Sequence, residues 1–191
     1  MDRRTFMLSS SALALAALSG CTSPEGDTAA EKRQAVGEMR SDTLTKLYAI
    51  EPSAEEQIAN AAGYGVFSNV GVNLLLLSAG NGWGVVRDNA SGDDTYMKMV
   101  SGGIGLGLGV KDFRGVFVFT EREAMESFAN SGWDASAQAD AAAKSGEKGG
   151  AWAGAIDVAP GIKLYQITEH GLALQATIQG TKYWKDDELN G

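Results

Sequence analysis

One histidine, His170, one cysteine, Cys21, and 24 carboxylates are the side chains from which catalytic or metal chemistry would have to be assembled. A Ser-His-Asp relay would have to use His170, and Glu169-His170-Gly171 reads as a surface turn between two strands. A zinc site needs several imidazoles or thiolates, and a single cysteine forms no internal disulfide. The acidic loop with Asp88, Asn89, Asp93 and Asp94 lacks the spacing of a calcium-binding EF-hand and reads as a solvated hairpin tip. The glycine runs at 80–84 and 103–107 complete neither GxxxxGK[ST] nor G-x-G-x-x-G, so no phosphate-cradling nucleotide loop is expected. The tail Lys185-Asp186-Asp187-Glu188 reads as a solvated charge run. The expectation is a protein with no catalytic residue, no metal and no cofactor. Only carboxylates paired in space could overturn it, and such pairs are not written in sequence.

Charge narrows the partners. Sixteen Lys and Arg against 24 Asp and Glu give a net charge of −8, which argues against general nucleic-acid binding. The chain is 44% hydrophobic and 21% charged, the balance of a folded soluble domain. Glycine, with 25 residues of 191, is the compositional anomaly.

The first twenty residues read as an export signal. Arg3 and Arg4 form a positive start, and Ala12 to Leu18 is apolar but too short to cross a membrane. Arg3-Arg4-Thr5-Phe6 also resembles a twin-arginine signal, the alternative being the general secretory route. Leu18-Ser19-Gly20-Cys21 resembles a lipobox, which implies cleavage before Cys21 and acylation of its thiol. Several acyl chains anchor stably where one does not. Thr22 and Ser23 follow with no Asp beside the cysteine, which by resemblance to Gram-negative sorting rules implies the periplasmic face of the outer membrane. Residues 21–30 then form the lipidated N-terminus and a small, polar tether, and residues 31–191 form a single domain.

Within that domain, Val36, Met39, Leu44 and Leu47 recur at helical spacing from Glu31 to about Tyr48. Ser53-Ala-Glu-Glu56 predicts a capping box opening a second helix, with Gly63 as its stop. Strands are expected at 64–70, 82–87, 95–100, 103–110, 162–168 and 172–179, with a short apolar run at 74–77 and a hairpin turn at 88–94. Gly115 to Thr120 is apolar on both faces and reads as a central strand. Thr120-Glu-Arg-Glu123 predicts another capping box, opening a helix through Met125 and Phe128 that stops near Gly132. Residues 134–141 alternate Ala with polar residues, so the strand period competes with alanine's helix propensity. The whole predicts an α+β fold: an antiparallel, strongly curved or barrel-like sheet with N-terminal helices and at least one packing helix.

In a strand from 103 to 110, Gly103, Gly105, Gly107 and Gly109 line one face and Ile104, Leu106, Leu108 and Val110 the other. A face without side chains lets something approach closely. Curvature with tight packing is one reading and a ligand groove the other.

Several phrases, in order, resemble the SYLF lipid-binding domain family. They are Ala62-Gly-Tyr-Gly-Val-Phe-Ser-Asn-Val70, Gly80-Asn-Gly-Trp-Gly-Val-Val86, Tyr96-Met-Lys-Met-Val-Ser101, Val116-Phe-Val-Phe119 with Phe128 and Gly132-Trp133, Tyr165-Gln-Ile-Thr-Glu-His-Gly-Leu172 and Gly180-Thr-Lys-Tyr-Trp184. Together they span about residues 44–184. The resemblance implies a non-enzymatic module that contacts lipid, supports a strand at 134–141, and agrees with an exported lipoprotein. In eukaryotic members a basic amphipathic N-terminal segment contacts the membrane. Here that stretch carries Lys32, Arg33, Arg40 and Lys46 against Glu31, Glu38 and Asp42, four cations against three acids. Those four cations are the candidate headgroup contacts, with a phospholipid or lipid-like ligand as the expected partner. A structural or envelope-stress protein is the competing reading, with a periplasmic protein or the cell wall meeting the turns that bear Trp83, Trp133, Trp152 and Trp184.

Overall fold

The computed structural model describes residues 23–135, 153–168, 171–173 and 180–191, and of residues 70–78, 103–113 and 173 it describes the backbone. Cys21, the segment 136–152 and His170 lie outside the described residues. The elements in chain order are α1 (Ala29–Ile50), α2 (Ser53–Ala59), β1 (Gly63–Asp88), β2 (Asp94–Phe119), α3 (Arg122–Ser131), β3 (Trp133–Asp134), β4 (Ile156–Ala159), β5 (Ile162–Thr168), β6 (Gly171–Ala173), β7 (Thr181–Lys185) and α4 (Asp187–Asn190). This is an α+β fold around one antiparallel, strongly curled sheet with an N-terminal helix, as expected.

Two 26-residue strands dominate. The separate expected strands at 64–70 and 82–87 and the apolar run at 74–77 are one continuous β1, paired with β2 from Gly63↔Phe119 to Arg87↔Asp94. The turn falls at 89–93, inside the expected hairpin loop. A register shift between Leu75 and Leu77 changes which β1 residues face inward. Before it Phe67 faces the inner core and Val66 the outer one; after it Val86 faces inward and Val85 outward. A one-residue slip exchanges the two faces of a strand, so this irregularity lets one long strand serve both cores despite its curl.

The inner core holds Phe67, Met97, Met99, Phe117, Phe119, Leu164 and Tyr183 from the sheet, plugged by Met125, Phe128 and Ala129 of α3. The outer core holds Val66, Val85, Val116, Val118, Tyr165 and Ile167, roofed by Val36, Met39 and Leu47 of α1, Ala54 and Ile58 of α2, and Leu189 of α4. Residues 115–119 are buried on both faces and β2 is flanked there by β1 and β5, which makes this the central strand that the apolar run predicts.

Local signals are partly corrected. α1 begins at Ala29, because Thr28 and Glu31 form a reciprocal capping box two residues before the expected start. Neither other expected box forms. Pro52 occupies the cap position of α2, so Ser53 lies inside the helix and its hydroxyl donates to the Glu51 carboxylate. Glu121 caps α3 without a side-chain bond, and the Thr120 backbone N–H donates to Gly161 O instead. α2 ends at Ala59, and Gly63 opens β1 rather than closing the helix. Trp133 and Asp134 are strand; the rest of the contested 134–141 stretch, beyond Ala135, lies outside the described residues.

Candidate functional site: an arginine cluster around Tyr96

The α1 cations divide into two sets. Val36, Met39, Thr43 and Leu47 form the buried stripe of the helix. Arg33 and Arg40, seven residues apart, share one flank of it. Lys46 is exposed elsewhere on the helix, with no ion pair or hydrogen bond among the described residues. Sequence grouped all four as headgroup contacts; the structure brings together Lys32, Arg33 and Arg40 and leaves Lys46 apart.

Residues distant in sequence complete the cluster. Arg87 closes β1 and stands opposite Asp94, which opens β2. Asp94 Oδ1 lies 2.8 Å from Arg40 Nη1 and 3.2 Å from Arg87 Nε. Two residues on, the Tyr96 ring lies beneath Arg33, whose guanidinium carbon is 6.0 Å from the ring centroid. Burial and then the Asp94 carboxylate hold the Tyr96 hydroxyl above its ordinary pKa, against the opposing pull of Arg33, Arg40 and Arg87. Three guanidinium groups therefore act on one phenol, with one carboxylate between them.

The tail, expected as a solvated charge run, is instead docked on this cluster. Asp186 is buried, caps α4 through the Glu188 and Leu189 N–H groups, and lies 3.0 Å from Lys98 Nζ. Asn190 accepts from Tyr96 N and donates to Tyr96 O, which also accepts from the Asp186 N–H, so the tail takes up both backbone groups of Tyr96. Lys32 contacts Glu188 at 2.6 Å, and that bond holds its ammonium above the ordinary lysine range. Arg33 donates to Leu189 O at 2.8 Å and to Gly191 O at 2.9 Å. The driving force for docking is apolar, because Leu189 sits in the outer core with Val36.

Donor accounting shows what the cluster can do. Each guanidinium carries five N–H donors. Among the described residues Arg33 donates two hydrogen bonds to protein oxygens, Arg40 one, and Arg87 one, to Gly92 O, beside its ion pair with Asp94. The remaining donors are positioned on half-buried arginines and can take up oxyanions in bidentate fashion.

The glycine-faced segment is strand, as expected. Gly103 pairs with Ser78, Gly107 with Leu75 and Gly109 with Asn73, while Gly105 falls at the register shift. Close approach is visible at other glycines. A Cβ at Gly84 would strike Val66 O and the Phe67 ring, and one at Gly82 would strike Ser68 O, so the two halves of β1 meet backbone to backbone.

Among the described residues no group of three His, Cys, Asp or Glu is placed to hold a metal ion. A cleft of about 320 Å³ between α2 and the end of β2 is lined by Ser53, Glu56, Gln57, Asn60, Ala61 and Thr120. Its one acid is Glu56, and the Ser53 hydroxyl donates to the Glu51 carboxylate. No described helix is long and apolar enough to cross a membrane.

A comparison with known protein families finds no match. The chain is similar to a protein of Aeromonas veronii named beta cell expansion factor A, with 35% identity over 164 residues. The similarity covers 85% of this chain, which spans about 60% of that relative's length.

Proposed function

We propose that this protein is a non-enzymatic lipoprotein of the outer membrane's periplasmic face, anchored through Cys21, whose SYLF-like domain binds anionic lipid headgroups. The observation that carries the reading is the convergence of Arg33, Arg40 and Arg87 on Tyr96 around the single carboxylate of Asp94. The spare guanidinium donors match the paired oxygens of a phosphodiester. In a chain of net charge −8 the rest of the surface repels an anionic layer, so binding depends on this local concentration of positive charge. The Aeromonas veronii relative is named for an effect on beta cells and for no ligand, so the chemistry rests on these residues.

The test is flotation of the full chain carrying Cys21→Ser with two kinds of vesicle, phosphatidylcholine alone and phosphatidylcholine with phosphatidylglycerol. Binding to the anionic vesicles alone, weakening from low to high salt, is expected. Arg40→Gln combined with Arg87→Gln, with an unchanged circular dichroism spectrum, lowers that affinity by roughly tenfold or more, because charge-assisted hydrogen bonds each contribute about 1.5–3 kcal/mol. Equal binding to both vesicles, or to neither, sinks the reading.

A further inference from the structure

The face of β2 that carries Tyr96 continues beyond the cover of α1 and α4. Residues 96, 98, 100 and 102 alternate onto that one face, and the register carries it sideways onto β1 and β7. Val85 and Tyr96 make the first row, and both belong to the roofed outer core. The next row is Trp83, Lys98 and Trp184, side by side on β1, β2 and β7. The row after it is Asn81, Val100 and Lys182, followed by Ala79 and Gly102.

Apart from Trp83, which is half-buried against the outer core, these later rows are open. Trp184 is 43% exposed and Val100 is 37% exposed, two of the three large hydrophobic side chains exposed among the described residues. Ala79, Asn81 and Gly102 are exposed too, and a Cβ built at Gly102 would meet nothing within 4 Å. The result is a low floor of small side chains beside a standing indole and a valine. Lysines flank it: Lys98 lies 3.0 Å from Asp186, and Lys182 lies 3.0 Å from Asp134. On this sheet face and the adjoining cluster, five cations (Lys32, Arg40, Arg87, Lys98 and Lys182) contact four carboxylates, and a sixth, Arg33, donates to the backbone carbonyls of Leu189 and Gly191. Positive charge and exposed apolar surface therefore lie on one continuous side of a molecule whose net charge is −8.

We propose that this open outer face of β1, β2 and β7 is the surface that seats on an anionic bilayer. Trp184 and Val100 enter the interfacial layer, while Lys98 and Lys182 stay at headgroup level beside the arginine cluster. Indole rings favour that layer because one edge is polar and the body apolar. Lysine stems lie along apolar surface and keep their ammonium groups at the headgroups. The inference rests on the headgroup reading above and goes beyond it by naming a second, apolar contact and the orientation it imposes.

The experiment uses the full chain carrying Cys21→Ser and vesicles of phosphatidylcholine with phosphatidylglycerol, with and without brominated acyl chains. Brominated lipid should quench tryptophan fluorescence, and Trp184→Phe should remove most of that quenching. Trp184→Ala with Val100→Ser should lower vesicle affinity by roughly tenfold while circular dichroism and thermal stability stay unchanged, since both side chains are exposed. If this double variant binds as the parent does and Arg40→Gln with Arg87→Gln does not, the headgroup reading stands and the sheet face is overturned. If the parent binds no vesicle, both fall. Protection of Trp184 from oxidative labelling in intact envelopes, without protection by vesicles, assigns the face to a protein or cell-wall partner and overturns the proposal.

Discussion

At the scale of single residues, long-range pairing decides which charges are available. Arg33 and Arg40 stand out in the sequence as cations on a helix, but Arg87 and Tyr96 carry no local signal, because the hairpin register brings these two together and helix docking sets them beside a segment distant in sequence. The Asp88 to Asp94 loop is equally opaque. Asp88, read as a solvated tip residue, accepts bonds from Arg122 Nη1 and Nη2 at 2.9 and 3.1 Å and from the Ala90 N–H at 2.8 Å. The Arg122 bonds and then the backbone bond hold its carboxyl well below its ordinary 3.8. A depressed carboxyl contributes stability that is complete above the unfolded-state pKa and is lost as pH falls towards the folded-state value. Asp88→Asn is therefore expected to cost about 1 kcal/mol at pH 7, a figure discounted because the Arg122 side chain is 41% exposed. The same variant should flatten the decline in stability below about pH 4. Urea denaturation of both proteins across pH 2–7 reads both effects.

At the scale of elements, the long hairpin explains part of the glycine excess. The phrase Gly80-Asn-Gly-Trp-Gly84 forms no nucleotide loop; Gly82 and Gly84 stand where β1 closes on its own first half. Gly84→Ala drives a Cβ into Val66 O and the Phe67 ring, and backbone cannot step aside as a flexible side chain can. A loss of about 3 kcal/mol is expected, at the upper end for overpacking, and thermal melts of the variant check it. Sequence patterns located β2's central stretch because 115–119 is an unbroken apolar run buried on both faces, and α3 because Met125 and Phe128 recur at helical spacing; β5 was located as a strand too, although its burial on both faces includes Lys163 and Gln166. They misplaced the openings of α2 and α3, because capping motifs compete with neighbours such as Pro52 and Gly161 that local reading does not weigh. They also left α4 as solvated charge, since four residues with one leucine show no periodicity, and the Val36 side of α1 supplies the site that Leu189 fills.

At the scale of the whole molecule, one curled sheet separates two cores and shares its long strands between them. Phe128 is the hub of the inner one, with ring centroids 5.1 Å from Phe119, 5.2 Å from Phe117 and 5.3 Å from Tyr183. Phe128→Ala should cost about 3–5 kcal/mol. Because β1 and β2 build both cores, that loss should appear as one transition, with tryptophan fluorescence and far-ultraviolet circular dichroism coincident during denaturation. Two separated transitions would mean that the cores unfold independently. The same architecture marks the boundary between sequence and structure. Alternation of period two, helical spacing in α1 and the apolar run at 115–119 determine by themselves an α+β fold on an antiparallel sheet, because burial on one or two faces of an element is a local pattern. Which face α1 and α4 roof, which arginines meet at Tyr96, and which rows of the sheet stay open are decided by the tertiary structure alone. Those outcomes depend on a single register shift in β1 and on contacts between distant segments, and neither leaves a periodic trace in the chain.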